Sequence, residues 1–342
     1  MGCASALALA ERGVSVTVLE RAIPGAEAST AAAGILGAQS ESHEPGPLVD
    51  LLISSRALYP EWVKKLTNDG ALSVGYVRSG VLRLALTEHE AADLERTATW
   101  QEAANLRVVR LDRAGASKLE PASNGAIASA LFFPDDAQVD PPLLLRALVA
   151  ALAREGVQTR SGAMVKKIAI SGGRATGVLL EDGELSADAV VLAAGSWSAL
   201  VPGASLRASL VKPIRGQVVQ LEERPPQLRT IVMAGATYVV PRGDGRVVCG
   251  STMEAVGFQK EVTAAGVAAI LEGAITAVPS LGAAAFVTAW SNFRPFAGDA
   301  MPLVGTTEVP GLFLATGHHR NGILLAPWTA REVANAVTRA NG

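Results

Sequence analysis

Cysteine is nearly absent: Cys3 and Cys249 are the only two in 342 residues. They stand too far apart to form a disulfide framework, which fits a reducing compartment and leads us to expect a cytoplasmic protein. Aromatic residues make up 4% and charged residues 18%, below the roughly 25% usual in soluble domains. The 30 basic and 32 acidic side chains leave a formal charge of −2. Nothing here supplies the clustered cations of a nucleic-acid surface. No basic segment precedes an apolar stretch as in a signal peptide, and Ala6 replaces the Ser or Thr a myristoylated Met-Gly start requires. The longest uncharged run, residues 273–293, carries Pro279, Ser280 and Gly282 near its middle. It reads as a turn between a helix end and a strand, so no membrane span is expected.

What the chain does have is apolar residues, at 49%, and 34 glycines. That content offsets chain entropy and excludes disorder, and the length favours two domains over one. Small helix-favouring residues at 2–12 end at Gly13, a natural C-terminal cap. A β-branched strand follows over 14–20. Helical spacing recurs over 48–66, a strand reads at 80–86, a charged surface helix at 88–104, and Pro141 opens a helix through 154. A strand near 165–170 leads to a hairpin at Gly172-Gly173, and residues 189–195 form a continuous apolar run typical of a strand buried on both faces. Alternating strands at 216–221, 229–233, 237–242 and 246–250 imply an antiparallel sheet. The chain closes with a strand at 312–315, a glycine turn at 317–322 and a helix to 340.

This order predicts an α/β fold: a Rossmann-type nucleotide domain with an inserted antiparallel-sheet domain. The expected division is 1–42, 138–208 and 290–342 for the first, and 43–137 and 209–289 for the second. A Rossmann dinucleotide site needs a strand, a G-x-G-x-x-G turn, a helix, and a second strand ending in an acid. Gly2 reads as the third glycine and Glu20 as the acid that accepts from the ribose hydroxyls. A carboxylate there would repel a 2′-phosphate and so disfavours NADP. The first strand and first two glycines are not in the sequence, and the reading places them upstream of Met1. By themselves, Gly2 and Glu20 fit an ordinary βα unit with a surface glutamate better than a dinucleotide site.

Other motifs carry more information. Ser29-Thr30-Ala31-Ala32-Ala33-Gly34-Ile35-Leu36-Gly37, Leu192-Ala193-Ala194-Gly195-Ser196-Trp197-Ser198, Pro213-Ile214-Arg215-Gly216-Gln217, Ser291-Asn292-Phe293-Arg294-Pro295 and Gly317-His318-His319-Arg320-Asn321-Gly322-Ile323-Leu324-Leu325-Ala326-Pro327 are present. With these the chain resembles the FAD-dependent D-amino acid oxidase family over nearly its whole length, and within it the glycine oxidases of thiamine biosynthesis. The resemblance implies non-covalent FAD and an oxidative deamination that transfers hydride from Cα of a small amino acid to flavin N5. Its partners are that amino acid and O2, and it allows a homo-oligomer. The products are keto acid, ammonia and hydrogen peroxide.

The resemblance also implies site residues. Arg294 aligns with the arginine that grips the substrate carboxylate, a task suited to a planar two-donor fork. Tyr238 and Met253 align with the substrate pocket; a satisfied core tyrosine is a serious alternative for the first, and core packing is nearly as good a reading of the second. Arg320, in the turn that opens the last helix, is assigned to both substrate and cofactor. The cofactor set is completed by Gly2, Glu20, Arg21, Ser29, Thr30, Ala33, Gly34, Ile35, Val165, Gly195, Trp197, His318, Asn321, Gly322, Ile323 and Leu324. Ala236 stands where the family has a pocket histidine, which enlarges the pocket. No catalytic side chain is expected beyond the flavin. Adjacent His318 and His319 without a Cys or carboxylate cluster predict no metal site, and His43 with Glu41 and Glu44 reads as a solvated loop. Two alternatives stay open: a D-amino acid or sarcosine dehydrogenase using another acceptor, or a flavin-impaired truncated relative.

Overall fold

The computed structural model describes residues 1–67 and 72–341. The first helix, Gly2–Ala10, ends before Gly13, whose φ of 77° lies in the left-handed region that glycine enters without cost. It leads into the strand Thr17–Glu20, which pairs in parallel with Gln158–Ser161. A second parallel pair, Val190–Leu192 with Leu312–Thr316, is extended by Leu303–Thr306. Helices Gly2–Ala10, Pro47–Thr67, Pro141–Arg154 and Gly322–Asn341 pack around one apolar core, with Leu52, Tyr59, Leu144, Leu148 and Leu325 inside it.

The other large body is an eight-stranded sheet. Its order runs Ala285–Ala297, Val211–Glu222, Arg246–Gly250, Thr237–Pro241, Ile231–Ala234, Val81–Ala85, Ser129–Phe133 and Val109–Leu111. Neighbours are antiparallel except for Ile231–Ala234 beside Val81–Ala85. Alternation sorts the side chains. Leu82, Leu84, Val219, Val239 and Cys249 face the helix Ala264–Ala277, whereas Val81, Ala85, Val218, Met233 and Val248 face the opposite way. The strand Ala285–Ala297 pairs with Val211–Glu222 along its whole length, so the expected boundary at residue 290 falls inside a strand.

Several local expectations are met because their causes are local. Pro141 begins its helix as expected. Helix Glu88–Ala103 starts from a capping box in which the Thr87 hydroxyl accepts from Glu90 N and the Glu90 carboxylate accepts from Thr87 N. The run 273–293 is a helix end, a short 3₁₀ turn over Pro279–Ala283 and a strand. No described helix is long and apolar enough to cross a membrane. The strand expected near 165–170 is Lys167–Ser171, joined through Gly172-Gly173 to Arg174–Leu179, and a further strand, Gln158–Ser161, precedes it. One expectation needs correction. The apolar run 189–195 is strand only at Val190–Leu192, and at Gly195 it turns into a 3₁₀ helix tied down by Thr316, whose hydroxyl donates to the Gly195 carbonyl at 3.0 Å.

Candidate active site

A cleft of about 1580 Å³ runs between the α/β layer and the sheet. That exceeds the roughly 300–1,000 Å³ of ordinary small-molecule pockets and is room enough for a long cofactor with a substrate at its end. Of the residues singled out from sequence, Gly2, Glu20, Arg21, Ser29, Ala33, Gly34, Ile35, Val165, Gly195, Trp197, His318, Gly322 and Ile323 line it, together with Arg294, Tyr238, Met253 and Arg320. Thr30, Asn321 and Leu324 do not. The Thr30 hydroxyl donates to the Gly25 carbonyl at 2.7 Å, while Asn321 and Leu324 are buried. Met253 is 60% exposed, which excludes core packing for it.

The α/β wall is built from backbone and small side chains. The first turn of helix Gly2–Ala10 has no side-chain cap and faces the cleft, leaving its N–H groups available to an anion. Glu20 sits at the end of its strand and accepts from Ala22 N at 2.9 Å. Gly34 has φ 75°, and a Cβ there would overlap the Val139 carbonyl. The turn is clamped by Arg242, which stands just beyond the sheet strand Thr237–Pro241 and donates to the Ala33 carbonyl at 2.6 Å and the Val139 carbonyl at 2.9 Å. Arg21 lies 4.0 Å over the Trp197 ring and pairs with Glu27 at 2.6 Å.

The sheet wall carries the reactive-looking side chains. The Arg294 guanidinium donates to Ser251 Oγ at 2.6 Å and to the Thr252 carbonyl at 3.1 Å. No carboxylate of the described residues stands within 4 Å of it. It lies over Gly216, where a Cβ would collide with it, and the Tyr238 ring likewise lies over Gly250, its partner across the strand pair. Strand glycines here mark close approach. Burial raises the Tyr238 hydroxyl pKa, with Arg294 opposing, so the phenol stays protonated at neutral pH.

Between the walls lies the turn around His318 to Arg320. Burial pushes His318 down to about 3, and its Nε2 lies 2.9 Å from Thr329 Oγ1. His319 adopts φ 49° and is held down at about 4 by burial and then by Arg320 and Arg294. Both rings are therefore neutral near pH 7. Arg320 pairs with Glu41 at 2.6 Å and donates to its carbonyl at 3.1 Å.

The Glu41 pairing corrects the solvated-loop reading. His43 and Glu44 are exposed, but Glu41 is half-buried and lines the cleft. Burial raises its carboxyl pKa, with Arg320 and then Arg294 opposing. The loop is held by Asp136, a fully buried carboxylate that accepts from Gln39 N at 3.2 Å and Ser40 N at 2.8 Å and pairs with Arg56. Glu41, Asp136, Ser251 and Arg83 were not found from sequence. Arg83 alone left a local signal there, a cation in the middle of the apolar strand Val81–Ala85.

No group of three or more potential metal ligands occurs among the described residues. An adenine dinucleotide matches what is present: a cleft of sufficient length, an uncapped helix start, and a strand-end carboxylate. Comparison with known proteins agrees. The family described as FAD dependent oxidoreductase (DAO) matches residues 1–336. A glycine oxidase of Geobacillus kaustophilus is 38% identical over 345 residues, covering 99% of this chain and 90% of that protein. The bifunctional protein ThiO/ThiG of Synechocystis sp. is 35% identical over 97% of this chain and 49% of its own length. The crystal structure of glycine oxidase from Geobacillus kaustophilus superposes with a TM-score of 0.92 at 37% identity, over 99% of this chain and 92% of the other. This chain belongs to the DAO family of FAD-dependent oxidoreductases.

Proposed function

We propose that the protein oxidises glycine or another small amino acid to the corresponding keto acid, ammonia and hydrogen peroxide. The observation that carries this reading is the Arg294 guanidinium, fixed by Ser251 and Thr252 in the cleft with no described carboxylate against it. An organic carboxylate is the natural partner of such a fork. The glycine oxidase of Geobacillus kaustophilus, which shares the fold and 38% of aligned residues, supports the choice of substrate.

Arg294 holds the substrate carboxylate and thereby fixes Cα at the cleft's inner end. The Tyr238 phenol stays protonated and serves as a hydrogen-bond donor beside that carboxylate. Glu41 is already engaged by Arg320, so the substrate amine meets no free acid that would keep it protonated. Tyr238 and Met253 limit the space beyond Cα. Bound FAD would supply the redox chemistry, as acceptor for the Cα hydride whose electron pair would end on O2, and water would hydrolyse the released imine. Residues Gly2, Glu20, Arg21, Ser29, Ala33, Gly34, Ile35, Val165, Gly195, Trp197, His318, Gly322 and Ile323 would hold that cofactor, with the ribose at Glu20 and the pyrophosphate at the first helix. The α/β layer thus serves as cofactor domain and the eight-stranded sheet as substrate domain.

Peroxide release and artificial-dye reduction should be measured side by side with glycine, sarcosine and D-alanine. Stoichiometric peroxide with at least one of them is expected. Dye reduction without peroxide would make the protein a dehydrogenase, and neither signal would refute the reading.

A further inference from the structure

Arg83 is a second cation in the substrate end of the cleft, and the reading of that cleft as an amino-acid site leaves it without a task. It lies at the centre of Val81–Ala85, on the face that carries Val81 and Ala85 toward the cleft. Register lines it up with the proposed site: Arg83 pairs with Met233, Met233 with Tyr238, and Tyr238 with Gly250. Two strand spacings, about 10 Å, separate the Cα atoms of Arg83 and Tyr238.

The guanidinium is under-used. Nη1 donates to the Ser40 carbonyl at 3.2 Å and lies 3.4 Å from His43 Nδ1, while Nε and Nη2 make no hydrogen bond to described residues. No described carboxylate stands within 4 Å of it: Glu41 is paired with Arg320, Asp93 with Arg96, and Glu90 caps its own helix. Burial lowers the Arg83 pKa, with Glu41 and Asp93 opposing, and the nearby Arg320 lowers it further. His43 is also held down, by burial and then by Arg83 and Arg320, so it adds no charge near pH 7. Of the three arginines 83, 294 and 320, only Arg320 has a described carboxylate, Glu41, in contact, while Glu90 and Asp93 act on Arg83 from farther off. A monocarboxylate substrate on Arg294 still leaves Arg83 with no described carboxylate against it. Placing an arginine inside an apolar strand costs free energy that a single hydrogen bond to Ser40 does not recover.

We propose that Arg83 is a specificity-determining residue that binds a second carboxylate of the substrate, so that the enzyme prefers amines bearing two carboxylates, such as N-carboxymethyl amino acids, over their monocarboxylate counterparts. The first carboxylate lies on Arg294, the amine between the two arginines, and the second carboxylate takes the free Nε and Nη2 donors of Arg83.

Two ethers that cannot be oxidised at nitrogen test this in the holoenzyme: diglycolate, which mimics iminodiacetate, and methoxyacetate, which mimics sarcosine. Binding is read from perturbation of the flavin absorbance. Wild type should bind diglycolate at least tenfold more tightly, and kcat/KM for iminodiacetate should exceed that for sarcosine by a similar factor. Arg83→Met should bring the binding ratio to within threefold of unity, and Arg83→Lys should retain most of it. A residue that merely anchors the 37–42 loop would weaken both ligands alike. Equal affinities in wild type overturn the proposal without need of any variant, as does an unchanged ratio in Arg83→Met. If sarcosine and glycine are turned over but diglycolate is not preferred, only the second-carboxylate site fails. If no amine is oxidised and neither ether binds, the amino-acid reading fails with it.

Discussion

On the α/β side of the cleft, Gly2, Ala33, Gly34, Ala193 and Gly195 present peptide groups and methyls; on the sheet side, Arg83, Tyr238 and Arg294 present charged or polar tips. The first wall suits a long ligand approached by backbone N–H groups, which only small residues allow. The second suits a small ligand recognised by a few fixed donors. Each wall also braces the other. Arg242 reaches from the sheet to the Ala33 carbonyl at 2.6 Å, and Trp290 Nε1 donates to the Ala31 carbonyl at 3.0 Å. Binding of cofactor and of substrate should therefore be separable by mutation, although the two walls are physically joined.

The strongest way to test that separation is Arg294→Ala. Loss of a buried charge partner costs roughly 3–4 kcal/mol, so kcat/KM for glycine should fall about 100- to 1000-fold, through a higher KM, with the flavin still bound. Gly34→Ala on the opposite wall should do the reverse. Its φ of 75° and the Val139 carbonyl leave no room for a Cβ. The turn must shift at a cost of about 1–3 kcal/mol, flavin occupancy should drop, and KM in the reconstituted fraction should change little. Gly216→Ala tests the sheet wall without removing a functional group. A methyl there displaces the Arg294 guanidinium, and a KM increase of about tenfold with full flavin content is expected.

His318 gives a smaller effect with a defined sign. Its folded-state pKa of about 3 lies below the ordinary 6.5. Below pH 6.5 the unfolded chain binds a proton that the folded one refuses, so stability is complete above that value and falls as pH drops toward 3. Between pH 7 and 5 this contributes a loss of about 2 kcal/mol. Denaturant titrations should show that loss in wild type and a flatter profile in His318→Gln.

The contrast between the walls also explains what could be read from sequence. Ala33-Gly34 and Gly195 are legible as parts of family motifs, and the structure shows why glycine stands there, at φ 75° and 54°. Helix starts at Pro141 and Thr87 follow local rules. Arg294, Tyr238 and Met253 were found through family motifs and not through spacing. Glu41, Asp136 and Ser251 escaped because their meaning depends on partners elsewhere in the chain: Asp136 holds Gln39 and Ser40, 97 and 96 residues away. The same applies to Gly216 and Gly250, whose small size matters only once the register places Arg294 and Tyr238 over them.

Mixing the flavin-loaded protein with glycine in the absence of O2, and following the oxidised-flavin absorbance, isolates the step that depends on Arg294. The account predicts complete bleaching in wild type, and in Arg294→Ala bleaching that needs about 100-fold more glycine to reach the same rate. Equal rates at equal glycine in the two proteins would contradict it.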